Sequence, residues 1–281
     1  MKALSELTVK DIEKMDYNNL ISLVKETNRA PGGYKTISSV INNSFINGKS
    51  RILEIGTSTG VTAIEISKIK GCQIEAIDIN ERSLKEARAR AEQEGVANYI
   101  NFKKADAQNL EYDDCMFDMV FCGNVTSLIP DRNKALQEYV RVLKDDGILA
   151  AVPMYYIKEP EQSLLNDVSA AIQTKVEVHD REYWSDFYKK SNLVLKYVEN
   201  YRFDYISDKV LDEFISYIVN RDFLMELKPE VYQFLKEKYA KYIYLFRDNL
   251  SHMGYSILLY KKEKYNQEPE LFRGSLISEE N

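Results

Sequence analysis

Three cysteines, Cys72, Cys115 and Cys122, are all that 281 residues contain, too few and too scattered for a disulfide framework or a zinc site. No metal site is therefore expected, and the scarcity fits a reducing, cytoplasmic setting. Histidine is scarcer still. His179 and His252 are the whole supply, which narrows the search for a side chain that accepts a proton near neutral pH. Uncharged stretches such as 119–130 and 147–157 reach only about a dozen residues, whereas a membrane-spanning helix needs roughly 20. Glu6, Asp11 and Glu13 interrupt the start of the chain, so no secretory leader is expected. Positive charge is in deficit: 38 Lys and Arg against 44 Asp and Glu leave a net charge of −6. Basic residues form only small clusters such as Lys189 and Lys190, and nucleic acid is not the expected partner.

What is present is ordinary for a folded chain, with 44% apolar and 29% charged residues, and the length suffices for one large domain or two modest ones. Tyrosine is the exception. Twenty are present, and 15 of them follow residue 150.

From residue 50 the pattern alternates. Apolar runs at 50–56, 73–79, 99–106, 117–123 and 148–155 read as buried strands. Between them, 61–70, 81–96 and 133–144 carry helical periodicity or composition. Strands alternating with helices at this spacing predict a parallel sheet covered on both faces. Ahead of it, 8–28 reads as helical and RAPGG at 29–33 as a turn. Beyond residue 155 the pattern predicts a helix over 181–191, a strand over 194–205, two or three amphipathic helices over 207–250 broken near Pro229, and a strand over 254–262. A polar, frayed tail follows from residue 263.

Glu54-Ile55-Gly56-Thr57-Ser58-Thr59-Gly60 makes a tight turn between a strand and a helix. Glycine lets a ligand approach the backbone, the helix start offers N–H groups to an anion, and the three hydroxyls add donors. Asp78 ends the next strand, 18 residues past Gly60. A carboxylate there can accept hydrogen bonds from both hydroxyls of a ribose, or it can cap the following helix. Asp106 and Ala107 end the third strand, where the carboxylate either meets the exocyclic amine of an adenine or forms a turn. Gly123 and Asn124 lie at the crevice where open α/β sheets bind ligands. A dinucleotide turn would need G-x-G-x-x-G, and no third glycine is in register.

The set LEIGTSTG (53–60), EAIDI (75–79), KADAQNL (104–110), FDMVFCG (117–123) and RVLKDDGILAAV (141–152) resembles the class I S-adenosylmethionine-dependent methyltransferases over about residues 50–155. The resemblance implies a Rossmann-like fold, a mostly parallel seven-stranded sheet with helices on both faces, here with a helical insertion. It also implies S-adenosylmethionine as cofactor and roles residue by residue. Glu54 would organise the loop near the methionine amine. Gly56 and Gly60, with Thr57 and Ser58, would admit the cofactor, and Asp78 would hold the ribose with Ile79 beside it. Asp106 and Ala107 would meet the adenine, and Asn124 the methionine. Two departures stand out: Ser58 replaces the middle glycine of the turn, and Asp145-Asp146-Gly147 replaces the usual Pro-Gly-Gly.

On this reading 1–48 is an N-terminal helical lid, 49–206 the cofactor-binding core, 207–250 a helical cap, and 251–281 the last strand and tail. Tyr34 after the Pro-Gly-Gly turn would touch the cofactor, and His179 is the candidate base. Tyr155, Tyr156 and Tyr183 are placed to face the acceptor. Aromatic residues of 207–250 line either an acceptor pocket or a core or dimer interface. Methyl transfer to a small molecule, by a monomer or homodimer away from membranes, is the leading expectation. A peptide or protein acceptor is the alternative, and so is a non-catalytic cofactor-binding protein.

Overall fold

A computed structural model describes residues 2–263. The strand β1 (Arg51–Ile55) is apolar and buried after its first residue, and β2 (Gln73–Asp78) and β4 (Phe117–Cys122) repeat that character. With β3 (Ile100–Lys104) and β5 (Leu143–Ala151) they form a parallel block in the order β3-β2-β1-β4-β5. Beyond β5 runs β8 (Met253–Lys261), antiparallel to it, and β7 (Val194–Arg202) pairs the far side of β8. A short β6 (Met154–Tyr156) pairs β8 on the same edge as β5, after Val152 and Pro153 interrupt the strand. Eight strands by count thus make a sheet seven wide, mixed only at its β8 end.

Local chemistry sets the helices between them. Gly60 and Gly71, both left-handed, bracket α4 (Val61–Lys70). Asn80 caps α5 (Glu81–Gln93), its side chain accepting the Arg82 and Ser83 N–H groups, and Asp131 caps α6 (Arg132–Val142) through Lys134. On one face of the sheet, α3 (Tyr34–Asn43), α4 and α5 bury Ile37, Ile64 and Leu84 against Ile52, Ile74 and Met119. On the other, α6 and α8 (Arg181–Lys189) bury Tyr139, Phe187 and Tyr188 against Leu53 and Val120.

A third core lies off the sheet. It joins α1 (Val9–Glu13) and α2 (Tyr17–Leu23) to α9 (Asp208–Val219) and α10 (Pro229–Leu250), with Ile12, Leu20, Leu211, Leu235 and Tyr239 at its centre. The segments expected as a lid over 1–48 and a cap over 207–250 therefore share one helical layer, and α3 leaves it to pack on the sheet. Two helices were not anticipated: α3, rich in β-branched and Ser/Asn residues of poor helix propensity, and α7 (Gln162–Ile172), whose N-terminus has no side-chain cap. Except for Glu263, the polar tail lies outside the described residues. Among the described residues no helix is long and apolar enough to cross a membrane.

Leu235 is fully buried in the third core. Leu235→Ala should lower the unfolding free energy in urea by about 2–5 kcal/mol. A loss below about 1 kcal/mol would show that the helical layer is not close-packed on this side chain.

Candidate functional site

The turn after β1 is tied to the end of β2. The N–H groups of Gly56 and Thr57 both donate to the Ile77 carbonyl, at 2.8 and 2.9 Å, and the Gly60 N–H closes the loop on the Thr57 carbonyl at 2.9 Å. Glycine is required at both ends of this loop. Gly56 and Gly60 hold φ of 71° and 81°, and an added Cβ would sit 2.7 Å from the Val125 side chain or from the Ala87 Cβ. Ser58 between them also adopts a left-handed φ, 49°. For a residue with a Cβ that conformation costs about 1–2 kcal/mol, which is why glycine is usual at this position. The second departure repeats the pattern, with Asp146 at φ 63°.

The loop orients two carboxylates. Asp78 accepts the Ser58 N–H on Oδ2 and the Asn80 N–H on Oδ1, each at 2.8 Å. It does not cap α5; Asn80 does. Glu54 is almost fully buried and accepts the Thr57 hydroxyl at 2.6 Å. Burial pushes the Glu54 carboxyl up to about 7, against hydrogen bonds from Thr57, Thr62 and Ala63, and Asp78 adds to the rise. Burial likewise raises Asp78, opposed by the N–H groups of Asn80, Ser58 and Ile79. Among the described residues neither carboxylate forms a salt bridge. Ile79, next in the chain, is 71% exposed although apolar, and it lines a shallow groove of about 450 Å³ with Asn19, Asn80, Glu81 and Arg82.

Asp106 is exposed and forms a turn, accepting the Gln108 N–H at 2.9 Å, which holds its carboxyl below the usual range; Ala107 is buried behind it. Asn124 follows β4 and accepts the Met154 N–H on Oδ1 at 2.9 Å, which links the end of β4 to the start of β6. Both stand at the carboxyl end of the sheet with Asp78.

Tyr155 and Tyr156 are buried instead of open to a cavity, and the Tyr156 hydroxyl donates to Asn249 at 2.9 Å. His179 and Tyr183 come together, their rings stacked at 3.5 Å and 3°. Tyr34 opens α3 and is 59% exposed. Cys122 is fully buried, its thiol pushed up to about 11, as a small apolar residue would be.

The turn at 29–33, expected to belong to a lid over the cofactor, continues a strap that crosses this mouth, and sequence reasoning missed the strap's polar anchors. After α2, Glu26 carries a buried carboxylate that accepts the Tyr239 hydroxyl at 2.7 Å, and its carbonyl accepts Thr59 Oγ1 at 3.2 Å. Asn28 donates to Ser58 Oγ at 3.1 Å. Ala30 and Pro31 lie against Gly123. The glycine loop is thereby hydrogen-bonded to the helical layer. Glu26 and Asn28 sit in a polar stretch with no periodicity, so only the adjacent RAPGG turn signalled them.

Comparison with known proteins places this geometry in context. A family model described as a methyltransferase domain matches residues 46–193, from just before β1 to just before β7. An uncharacterized protein of Haemophilus influenzae is 30% identical over 176 residues, covering 62% of this chain and 70% of that protein. The 27-O-demethylrifamycin SV methyltransferase of Amycolatopsis mediterranei is 31% identical over 110 residues, covering 39% of this chain and 40% of its own length. Among solved structures, the MccD protein superposes with a TM-score of 0.71 at 28% identity, covering 84% of this chain and all of that one.

Glu54 gives a pH test. A carboxyl raised from 4.5 to about 7 by folding binds its proton more tightly in the native state. Its contribution to stability is complete below about pH 4.5 and is lost as the pH rises to 7. In urea unfolding, Glu54→Gln should gain on the wild type by about 3 kcal/mol between pH 4.5 and 7.5. A difference that does not change with pH would contradict the burial of an ionisable Glu54.

Proposed function

The chain belongs to the S-adenosylmethionine-dependent methyltransferases, with S-adenosylmethionine as cofactor, and from that premise we propose that it methylates a small organic molecule at the mouth of the sheet. The observation that carries the reading is the pair Glu54 and Asp78, one carboxylate buried and one half-buried, neither in a salt bridge among the described residues and both pushed toward protonation by burial. Such an acceptor pair suits a ligand that brings positive charge and a diol. When bound, the sulfonium supplies an electrophilic methyl and a neutral thioether as leaving group.

In this reading Asp78 accepts the ribose hydroxyls through oxygen lone pairs that Ser58 and Asn80 leave free. Glu54 provides negative charge toward the methionine ammonium through the loop it organises. Gly56 and Gly60, with Thr57 and Ser58, leave the backbone bare for close approach. Ile79 covers one face of the adenine, and Asp106 with Ala107 meets its edge. Asn124, fixed by Met154, borders the methionine end. The strap over 26–31, with Tyr34 at its far end, keeps water out.

The leaving group needs no acid, so the residues act mainly by alignment, which accounts for large accelerations in dry sites. His179, the candidate base, has its Nε2 3.1 Å from the Glu177 carboxylate and 3.0 Å from Arg132, so the role of proton acceptor is not assigned to it. The rifamycin methyltransferase named above supports a small-molecule acceptor, as does the layer of α1, α2, α9 and α10, which closes over one side of the mouth. A cytoplasmic setting fits the free Cys72, Cys115 and Cys122.

Asp78→Ala should weaken S-adenosylmethionine binding, read by calorimetry, by about 1.5–3 kcal/mol, the usual value of hydrogen bonds to a charged group. Unchanged affinity would remove the ribose role. Turnover is read as S-adenosylhomocysteine formed over a panel of small acceptors and, separately, peptides. Binding without turnover on either would point to a cofactor-binding protein instead.

A further inference from the structure

One cluster at the sheet mouth is not accounted for by the cofactor residues. Arg132, the first residue of α6, has a side chain only 16% exposed. Its Nη1 donates to the Tyr183 hydroxyl at 2.8 Å and lies 3.0 Å from His179 Nε2. Its Nη2 donates to Glu177 at 2.7 Å, and the same Glu177 oxygen lies 3.1 Å from His179 Nε2. The guanidinium stands 5.8 Å from the ring of Trp184. The Trp184 indole N–H is itself buried with no acceptor among the described residues.

The cluster is joined to both sides of the mouth. The His179 carbonyl accepts the Tyr156 N–H at 2.9 Å, just past the strand end that Asn124 holds. Asp131, beside Arg132, donates its N–H to Gln108 at 3.0 Å, and Gln108 in turn bonds Asp106.

A guanidinium and an imidazole meeting on one carboxylate oxygen, with the guanidinium steadied by the Tyr183 hydroxyl, form a receptor for an oxyanion. The oxyanion now in it is Glu177, which comes from an irregular segment and is nearly half exposed. Every fixed part of the site is on a helix or anchored to a strand end; the carboxylate is the part free to leave. Resting on the methyltransferase reading, we propose that Arg132, positioned by Tyr183, and His179 bind a carboxylate or phosphate of the methyl acceptor, and that Glu177 occupies this seat until the acceptor displaces it. The acceptor is thus an anionic metabolite, held by its charged group at the edge of the mouth with its nucleophile directed inward.

The chain has a single tryptophan, and it lies in this cluster, so its emission reports on the site without any turnover assay. Inorganic phosphate and acetate are titrated separately into the full-length protein, with sodium chloride at matched ionic strength as control. A saturable change in Trp184 emission is expected with at least one anion. Phosphate alone would indicate a phosphorylated acceptor, and acetate alone a carboxylated one. Glu177→Gln removes the competing charge and should lower the midpoint about tenfold, whereas Arg132→Gln should raise it tenfold or more.

No saturable change beyond chloride in either the wild type or Glu177→Gln overturns the proposal, and so does an Arg132→Gln protein that titrates like the wild type. Because Glu177 is exposed, its variant tests the site even if Arg132→Gln fails to fold. S-adenosylmethionine binding is measured independently, so loss of the anion site and loss of the methyltransferase reading are separate results.

Discussion

A buried carboxylate, Glu54, and a half-buried one, Asp78, at the ends of neighbouring parallel strands, neither in a salt bridge among the described residues, set the character of this molecule. Burying one unpaired carboxylate is costly, and burying two close enough to influence each other is costlier. The chain manages the cost with hydrogen bonds: backbone N–H groups on Asp78, and the Thr57 and Thr62 hydroxyls with the Ala63 N–H on Glu54. Both groups are nonetheless pushed toward protonation. In the proposed function a ligand with positive charge and hydroxyl donors completes the balance that the protein alone leaves open.

The glycine turn exists to hold that arrangement. Its N–H groups are used by the Ile77 carbonyl and Asp78, which lock β1 to β2, and its φ angles admit no side chain at Gly56 or Gly60. Ser58 accepts strain at the centre of the loop. In the proposed site that strain lies where the backbone would meet the cofactor, and the strap from Glu26 to Pro31 is hydrogen-bonded to it. Through Tyr239 and Glu26 the helical layer is hydrogen-bonded to the same loop, so closing the mouth and folding that layer are connected events.

Much of this is legible in the sequence. Period-two and continuous apolar runs place the strands, and β1, β2 and β4 match the expected positions within a residue or two. The acids at strand ends stand where their spacing put them. The tertiary pairings are what local patterns do not carry. Nothing in α1, α2, α9 or α10 taken singly says that they share a core, and α3 has the composition of a poor helix that only its packing on the sheet stabilises. Arg132 likewise reads as an ordinary surface charge in a helix start until the fold brings Glu177, His179 and Tyr183 to it. Tyr155 and Tyr156 show the opposite error: topology set them at the mouth, and packing against β8 and α10 turned them into the core.

In the proposed site Glu54 and Asp78 receive a cationic ligand, and the protons exchanged on binding report that charge. Calorimetric titration of S-adenosylmethionine near pH 6.5, repeated in buffers of different ionisation enthalpy, counts the protons exchanged on binding. A cationic ligand seated beside Glu54 stabilises its ionised form, so binding should release protons from the wild type and release far fewer from Glu54→Gln. Tight binding with no proton release, or with proton uptake, would contradict the account.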